Sequence, residues 1–160
     1  TNFTDTASIK WMNIQKLLDI QNPKKKKIIF ITTDWCNSCR TMKYSTFKYK
    51  NIADIINNEY YASIFSPEST DTISFMGHKF FNERTPQKPF HNFIISATQG
   101  NFVLPSVIFM NEQSQIISIV PYFLPPELLE SILKYFSSNS YITTKWEEWQ
   151  KQYKTNYKYE

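Results

Sequence analysis

The chain has 160 residues, of which 41% are apolar and 20% charged, and these shares are ordinary for one globular domain with a substantial core. Its net charge is +4 and its basic residues form no stripe, so we expect no nucleic-acid partner. No run of about 18 or more apolar residues occurs, and we therefore predict no membrane span in this chain. We predict a single domain over residues 1–160, with a core over about 8–136 and a helical extension over 141–156, and we expect a monomer.

The spacing of apolar residues predicts strands and helices that alternate along much of the chain. The predicted elements are an edge strand over 8–12, a helix that begins at Asn13 and ends at Asn22-Pro23, a buried strand over 28–32, helices over 39–49 and 51–58, a strand over 60–65, a hairpin over 72–81, a helix over 89–99, antiparallel strands over 103–110 and 115–120, a helix over 127–136, and an amphipathic helix over 144–154. This order predicts an α/β fold class.

One cationic run, Lys24 to Lys27, stands directly before the apolar residues 28–31. Such a run is typical of an anion- or membrane-binding patch, or of a solvated turn that leads into a strand. We favour the solvated turn, because four lysines alone do not suffice to indicate a nucleic-acid or lipid partner.

The most informative motif is Trp35-Cys36-Asn37-Ser38-Cys39, which holds both cysteines of the chain. It follows the predicted strand over 28–32 and leads into the predicted helix over 39–49. A dithiol with this spacing can close a disulfide within one helical turn and open it again. Thiol–disulfide exchange is therefore the first chemistry that the sequence predicts.

Exchange requires a thiolate, and a free cysteine with a pKa near 8.5 is mostly protonated at neutral pH. The unpaired N–H groups and the dipole at a helix N-terminus stabilise the anion. We therefore predict that Cys36 is the nucleophile and that Cys39, one turn later, resolves the mixed disulfide. Trp35 is expected to cover the sulfurs with an apolar wall. No dissociable cofactor is needed, because the two electrons reside in the dithiol.

Beyond this motif, the sequence resembles the thioredoxin family. Residues 28–33 match the strand that leads into the family's active loop, and Leu104-Pro105-Ser106 match its cis-proline loop. The resemblance is closest to a bacterial thioredoxin-like subgroup, whose further matching positions are Met42, Thr46, Phe47, Asn51, Ile52, Ala53 and the segment 121–127. It implies a thioredoxin fold: a central mixed β-sheet flanked by helices, here with a small hairpin insertion and an extra C-terminal amphipathic helix.

The resemblance also implies a function, namely a thiol–disulfide oxidoreductase that acts on protein cysteines and is served by an upstream redox partner protein. In the family the loop before the cis-proline contacts the substrate chain, and we carry this role over to Leu104 and Pro105. We expect the reducing direction. Subgroup members are commonly exported, so we expect a periplasmic or other cell-envelope location, with the cytoplasm as the alternative.

Three departures from the family pattern mean that the resemblance alone does not determine the redox direction. Phe30 occupies the position of the buried acid of classical thioredoxins, and Pro121 replaces a glycine near the substrate groove. The middle pair Asn37-Ser38 is neither that of the reducing thioredoxins nor that of the strong oxidants. Water or the nearby Asp34 is then expected to assist proton transfer.

Two other functions compete with exchange. One is a thioredoxin-fold binding module without redox turnover, for which the missing acid and the aromatic C-terminal helix leave room. The other is metal binding by the dithiol. Structural zinc usually has four ligands, and His78 and His91 have no ligand spacing to each other or to the cysteines. We therefore predict no metal site.

Overall fold

A computed structural model describes residues 7–21 and 23–154 of the chain. The strands are β1 (Trp11–Met12), β2 (Lys26–Ile31), β3 (Tyr60–Phe65), β4 (Ile73–Phe75), β5 (His78–Phe80), β6 (Ser106–Met110) and β7 (Ile116–Pro121). The helices are α1 (Ile14–Asp19), α2 (Asn37–Tyr44), α3 (Lys50–Glu59), α4 (Asn92–Thr98), α5 (Pro126–Ser137), α6 (Ser140–Thr143) and α7 (Trp146–Gln152), with a 3-10 helix over Thr46–Lys48.

The strands form one five-stranded sheet in the order β1-β3-β2-β6-β7 and a separate hairpin of β4 and β5. Strands β1, β3 and β2 run parallel, whereas β6 is antiparallel to β2 and β7 is antiparallel to β6. The mixed sheet and the hairpin insertion that the sequence predicts are therefore confirmed.

Strand β2 lies at the centre of the sheet, and all six of its residues are buried. Side chains alternate between the two faces of a strand. Ile28 and Phe30 pack on the face covered by α3 and α5, whereas Ile29 and Ile31 pack on the face covered by α1 and α4. Since each such side chain contributes about 1.5–3 kcal/mol when fully buried, this strand fixes the frame on which the following loop is held.

Local sequence signals explain several of the element ends. Asn13 begins α1 as predicted, because its side-chain oxygen accepts the backbone N–H groups of Gln15 (2.9 Å) and Lys16 (3.4 Å). The hairpin turns at Met76-Gly77, where both residues have positive φ, and glycine takes this conformation without steric cost. His78 pairs with Phe75 and begins β5.

The lysine run differs from the predicted solvated turn, because Lys26 and Lys27 belong to β2 and are buried. The Lys26 Nζ lies 2.8 Å from the Glu112 carboxylate and donates to the Asn139 side-chain oxygen at 2.6 Å. The Lys27 Nζ donates to the Ser114 hydroxyl at 3.1 Å. A buried ammonium is tolerated where such partners replace its lost hydration, and these partners are distant in the sequence.

The C-terminal extension contains two short helices, α6 and α7, where the aromatic spacing predicts a single one over 144–154. The backbone is extended at Thr144, whose carbonyl accepts the Tyr135 hydroxyl at 2.6 Å. Trp146 and Trp149 pack against the core beside Tyr135, and the Trp149 indole N–H donates to the Ser131 carbonyl at 2.9 Å. The aromatic face of this extension thus docks on the domain.

Two predicted features extend outside the described residues: the end of the first helix at Asn22, and residues 155–156 of the extension. Within the described ranges, 7–21 and 23–154, no helix combines the length and the apolar character that crossing a membrane requires.

Candidate active site

The cysteine motif lies where the central strand β2 gives way to helix α2. Cys36 has an extended backbone and caps this helix: its carbonyl accepts the N–H of Arg40 at 3.1 Å, and its sulfur accepts the N–H of Cys39 at 3.3 Å. The sulfur therefore occupies the place where a helix offers unpaired N–H groups and positive dipole charge, both of which favour a thiolate.

Cys36 and Cys39 are joined by a disulfide, with their Cα atoms 5.2 Å apart. The two residues differ in access to solvent: 8% of Cys36 is exposed, whereas Cys39 is completely buried. Of the two residues, Cys36 is therefore the one with any surface open to solvent.

Ser38, within the motif, contributes a second polar contact to the Cys36 sulfur. Its hydroxyl oxygen lies 3.5 Å from the Cys36 sulfur. Among the described residues, this hydroxyl and the Cys39 N–H are the groups that hydrogen-bond to that sulfur. Sequence reasoning noted Ser38 only as an unusual middle residue, although a hydroxyl within one turn of a thiol is a signal for such a contact.

Trp35 is 63% exposed, and its indole N–H donates to the Glu68 carboxylate at 2.5 Å. Glu68 lies in the loop after β3, and its own N–H donates to the Ser66 hydroxyl. The tryptophan next to Cys36 is thus anchored by a residue that is 33 positions away in the sequence. Local patterns contain no signal for this pair, and the sequence analysis missed it.

The Glu68 loop is in turn fastened by His91, the N-cap of α4. His91 donates its backbone N–H to the Pro67 carbonyl at 2.6 Å, and its Nε2 lies 2.7 Å from the Asp71 carbonyl. Its Nδ1 accepts the N–H of Phe93 at 3.1 Å. This bonding requires the neutral ring, and burial lowers the pKa of His91, against the raising effect of Asp71. His91 therefore caps the helix, whereas the sequence places it in the helix's first turn.

Asp34 is exposed at the surface of the loop. Its backbone carbonyl accepts the Arg40 guanidinium at 2.5 Å, and the same guanidinium contacts the side-chain oxygen of Asn37. Arg40 therefore ties the loop to the first turn of α2, a positioning role that the sequence analysis did not assign.

The core beneath the motif is apolar where the classical acid would lie. Phe30 is fully buried and packs edge-on against Phe47, with ring centroids 4.8 Å apart. The Thr33 hydroxyl, three residues before Cys36, is a buried polar group without a hydrogen-bond partner among the described residues. No carboxylate from β2 can therefore take a proton at this point.

The Leu104–Pro105 peptide bond is cis. The next residue, Ser106, pairs with Ile31 at the end of β2 on one side and with Pro121 on the other. Leu104 is half-buried and Pro105 is buried. The sheet thus brings the Leu104–Pro105 segment to the same end as the loop that carries the cysteines.

Metal-ligating side chains do not gather in the described part of the chain. No group of three or more His, Cys, Asp or Glu residues there could hold a metal ion. His91 uses both ring nitrogens in the contacts given above, and His78 is exposed in the hairpin.

Sequence comparison agrees with this geometry. The family model of the thioredoxin-like domain matches residues 15–137, which is most of the chain and includes both cysteines and Pro105. The chain belongs to the thioredoxin-like family. No curated protein matches this thioredoxin-like chain at the sequence level.

Solved structures share this thioredoxin-like fold at low sequence identity. A thioredoxin-fold protein from Helicobacter pylori is 13% identical, with a TM-score of 0.63 over 89% of this chain and 90% of that one. A thioredoxin from Thermus thermophilus is 10% identical, with a TM-score of 0.59 over 81% and 88%. A putative disulphide-isomerase from Bacteroides thetaiotaomicron is 17% identical, with a TM-score of 0.54 over 85% and 96%. These similarities establish the fold.

Proposed function

We propose that this protein is a thiol–disulfide oxidoreductase that acts on the cysteines of other proteins. One observation supports the proposal: a cysteine that caps a helix N-terminus and keeps 8% of its surface exposed is linked in a disulfide to a completely buried cysteine one turn later. Such a pair separates the attacking thiol from the resolving thiol. A purely structural disulfide has no need of this asymmetry.

In the reducing direction the Cys36 thiolate attacks one sulfur of a partner disulfide. A bond forms between the Cys36 sulfur and that sulfur, and the other partner sulfur leaves as a thiolate. The Cys39 thiolate then attacks the Cys36 sulfur, which restores the internal disulfide and releases the second partner thiolate. Two electrons pass to the partner, both partner thiolates take protons from water, and an upstream thiol protein restores the dithiol.

The surrounding residues have distinct roles in this proposal. The Cys39 N–H and the Ser38 hydroxyl stabilise the Cys36 thiolate, and Trp35 shields it. Because Phe30 replaces the acid, the Cys39 proton passes to water or to Asp34. The backbone at Leu104 and Pro105 holds the substrate chain next to Cys36.

We propose the reducing direction because of what contacts the nucleophile. A strong oxidant has a reduced form that is strongly stabilised. Here a neutral hydroxyl and one backbone N–H are the hydrogen-bonding partners of the Cys36 sulfur among the described residues. This modest stabilisation of the thiolate favours the disulfide form, and hence a pair that gives electrons away.

We further propose that the protein acts as a monomer in the bacterial cell envelope, on the basis of its resemblance to the exported thioredoxin-like subgroup. Fractionation of cells, with each fraction probed by an antibody against this chain, tests the location. Recovery of the protein in the cytoplasmic fraction alone would contradict it.

A redox titration in defined thiol buffers tests the function and its direction together. We expect a reversible Cys36–Cys39 disulfide with a potential near −270 mV, roughly that of a reducing thioredoxin. A value near −120 mV would reverse the proposed direction. If no buffer opens and closes the pair reversibly, the exchange function itself is wrong.

A trapping experiment tests whether the partners are proteins. The Cys39→Ser variant lacks the resolving thiol and should accumulate mixed disulfides between Cys36 and its partners. The matched control is the double variant that also carries Cys36→Ser, which should trap nothing. Equal bands from both variants would show that the adducts do not depend on Cys36.

A further inference from the structure

We infer that the edge strand β7 and the apolar groove beside it take up an extended segment of a partner protein as an additional strand of the sheet. This segment has aliphatic side chains at every second position. The docking site goes beyond the proposed exchange reaction and does not depend on it.

Strand β7 forms an open edge of the sheet. It lies at the end of the strand order and pairs with β6. After an irregularity between Phe109 and Met110, residues Ser118 to Pro121 pair with β6 in regular register. Within the ranges 7–21 and 23–154, no strand pairs with the opposite side of β7. That side therefore presents a row of backbone N–H and C=O groups to which a further strand can bond.

The sequence around β7 lacks the charges that usually prevent strands from pairing at an edge. No charged residue occurs from Gln113 to Pro126, a stretch that includes all of β7, and the proline within β7 is its last residue. The other edge strand, β1, has two residues and follows Lys10. Short edge strands and charged side chains block unwanted pairing, whereas a longer, apolar and uncharged edge favours it. Of the two edges, that of β7 is thus the one suited to pairing.

A groove of about 450 Å³ lies along this strand, between β7, α5 and α7. Ser118 and Val120 of β7 form one side, and Leu128 and Ile132 of α5 line it together with Trp146 of α7. The volume is in the range of ligand-binding pockets, which are about 300–1,000 Å³ and likewise mainly apolar.

One wall of the groove is specific to this chain. Trp146 belongs to the C-terminal extension, whereas the family model matches residues 15–137. The extension holds this side chain against the core beside Tyr135, with ring centroids 5.3 Å apart. The groove is therefore not a part of the matched thioredoxin-like domain alone.

Strand addition and filling of the groove are geometrically compatible. Adjacent strands lie about 4.8 Å apart, so a chain that pairs with β7 runs alongside the groove. Alternate side chains of a strand point to the same face, so every second side chain of that chain enters the groove. Backbone pairing then provides affinity, and the groove selects apolar side chains at alternate positions.

The size of the side chains decides between a partner protein and a second copy of this chain. A second copy would pair through its own β7, whose side chains on the groove side are Ser118 and Val120. Both are small, and both already line the groove of their own chain. A symmetric dimer would therefore leave both grooves unfilled, whereas a partner segment with leucine-sized side chains fills one.

Peptide binding tests the inference on the disulfide form of the wild-type protein, by fluorescence polarisation. The probe is a short fluorescein-labelled peptide in which leucine and threonine alternate, with a lysine at each end for solubility. Two further peptides carry N-methyl groups, one on its leucine amides and the other on its threonine amides. These two sets of N–H groups point to opposite edges of an extended chain. We expect one methylated peptide to bind about ten-fold more weakly, because one edge pairs with β7, and the other to bind like the parent.

Two protein variants form a matched pair. Ser118→Lys places an ammonium in the groove and should weaken binding of the parent peptide by about ten-fold, because the charge loses hydration there. Ile116→Lys adds the same charge at the exposed start of the same strand, outside the groove, and should keep the wild-type affinity. Both variants should reduce hydroxyethyl disulfide at the wild-type rate. If Ser118→Lys does not fold, the methylated peptides still decide.

Each other outcome overturns part of the inference. No binding of the parent peptide at about 1 mM, or equal binding of the two methylated peptides, would overturn strand addition. A wild-type dimer in sedimentation equilibrium that Ser118→Lys dissociates would replace the partner protein by a second copy. Because exchange is measured separately, a failure of docking leaves the proposed function intact, and a failure of exchange leaves the docking site intact.

Discussion

Strand β2 has two very different ends. At its start, Lys26 and Lys27 are buried, and their ammonium groups contact polar partners from other segments, among them the turn after β6 and the residue before α6. Beyond its end, the buried Thr33 hydroxyl lacks a partner among the described residues, and the ring of Trp35 faces water. At one end of this strand the buried polar groups are therefore paired. At the other end a buried hydroxyl is unpaired and an aromatic ring is exposed.

The difference between the lysine end and the cysteine end shows that the two ends of this strand meet different requirements, one for stability and one for reactivity. Burying a charge costs free energy unless partners replace its hydration, so the lysine end is stable only as a complete network. At the cysteine end, a sulfur that must change partners cannot be enclosed in the same way. Real proteins depart from ideal packing at functional sites, and the departures here lie at the cysteine end.

The largest effect on stability should come from breaking the lysine network. In Lys26→Ala, the half-buried Glu112 carboxylate loses its ammonium partner, and the Asn139 side chain loses its donor. We expect the free energy of unfolding to fall by about 1–3 kcal/mol, measured by urea denaturation, with unchanged thiol exchange. The matched control is Lys24→Ala, at an exposed position, which should change the free energy of unfolding by less than about 0.5 kcal/mol. Loss of exchange in folded Lys26→Ala would contradict the separation of the two ends.

The pH dependence of this pair follows from the pKa of Glu112. Burial alone would raise that pKa. The hydrogen bond and the charge of Lys26 lower it by more than burial raises it, so the net shift is downward from 4.5. The pair therefore stabilises the fold above that pH, and this contribution is lost as the pH falls and Glu112 takes up a proton.

Much of the fold could be predicted because its signals are local. The strand over 60–65 has the predicted bounds, and Asn13 caps its helix as the sequence indicates. The placement of Cys36 at a helix N-terminus follows from the apolar run before it and from its distance to Cys39. These features depend on residues within a few positions of each other.

What the sequence did not reveal depends on distant residues. Lysine patterns indicate solvent exposure, whereas Lys26 is buried beside Glu112 and Asn139, which lie 86 and 113 residues away in the sequence. The same holds for Glu68 beside Trp35.

A smaller effect, on the cysteine end, should come from releasing Trp35. Glu68→Ala removes the carboxylate that accepts the indole N–H, so the ring gains freedom next to Cys36. We expect the exchange rate to fall about three-fold, which corresponds to part of one hydrogen bond to a charged group. The freedom of the Trp35 ring is measured separately, by ¹⁹F NMR of fluorotryptophan-labelled protein. Because the chain has four tryptophans, the Trp35 resonance is assigned with the Trp35→Phe variant. Glu68→Gln keeps an acceptor oxygen and should lie between the two; an unmoved Trp35 resonance in Glu68→Ala would show that the bond does not hold the ring.

The smallest effect concerns His91, which fastens the Glu68 loop in its neutral form. Because burial lowers the pKa of His91 in the folded protein, the unfolded chain takes up a proton first as the pH falls below 6.5. The free energy of unfolding should therefore decrease below that pH, by at most about 1.4 kcal/mol per pH unit, until folded His91 is protonated too. The difference in the free energy of unfolding between wild type and His91→Asn gives the contribution of His91 protonation, since asparagine can cap α4 but does not titrate. If the two proteins lose stability in parallel between pH 7 and pH 5, the neutral ring is not what holds the loop; if only the wild type does, the pH dependence belongs to the segment that positions Trp35.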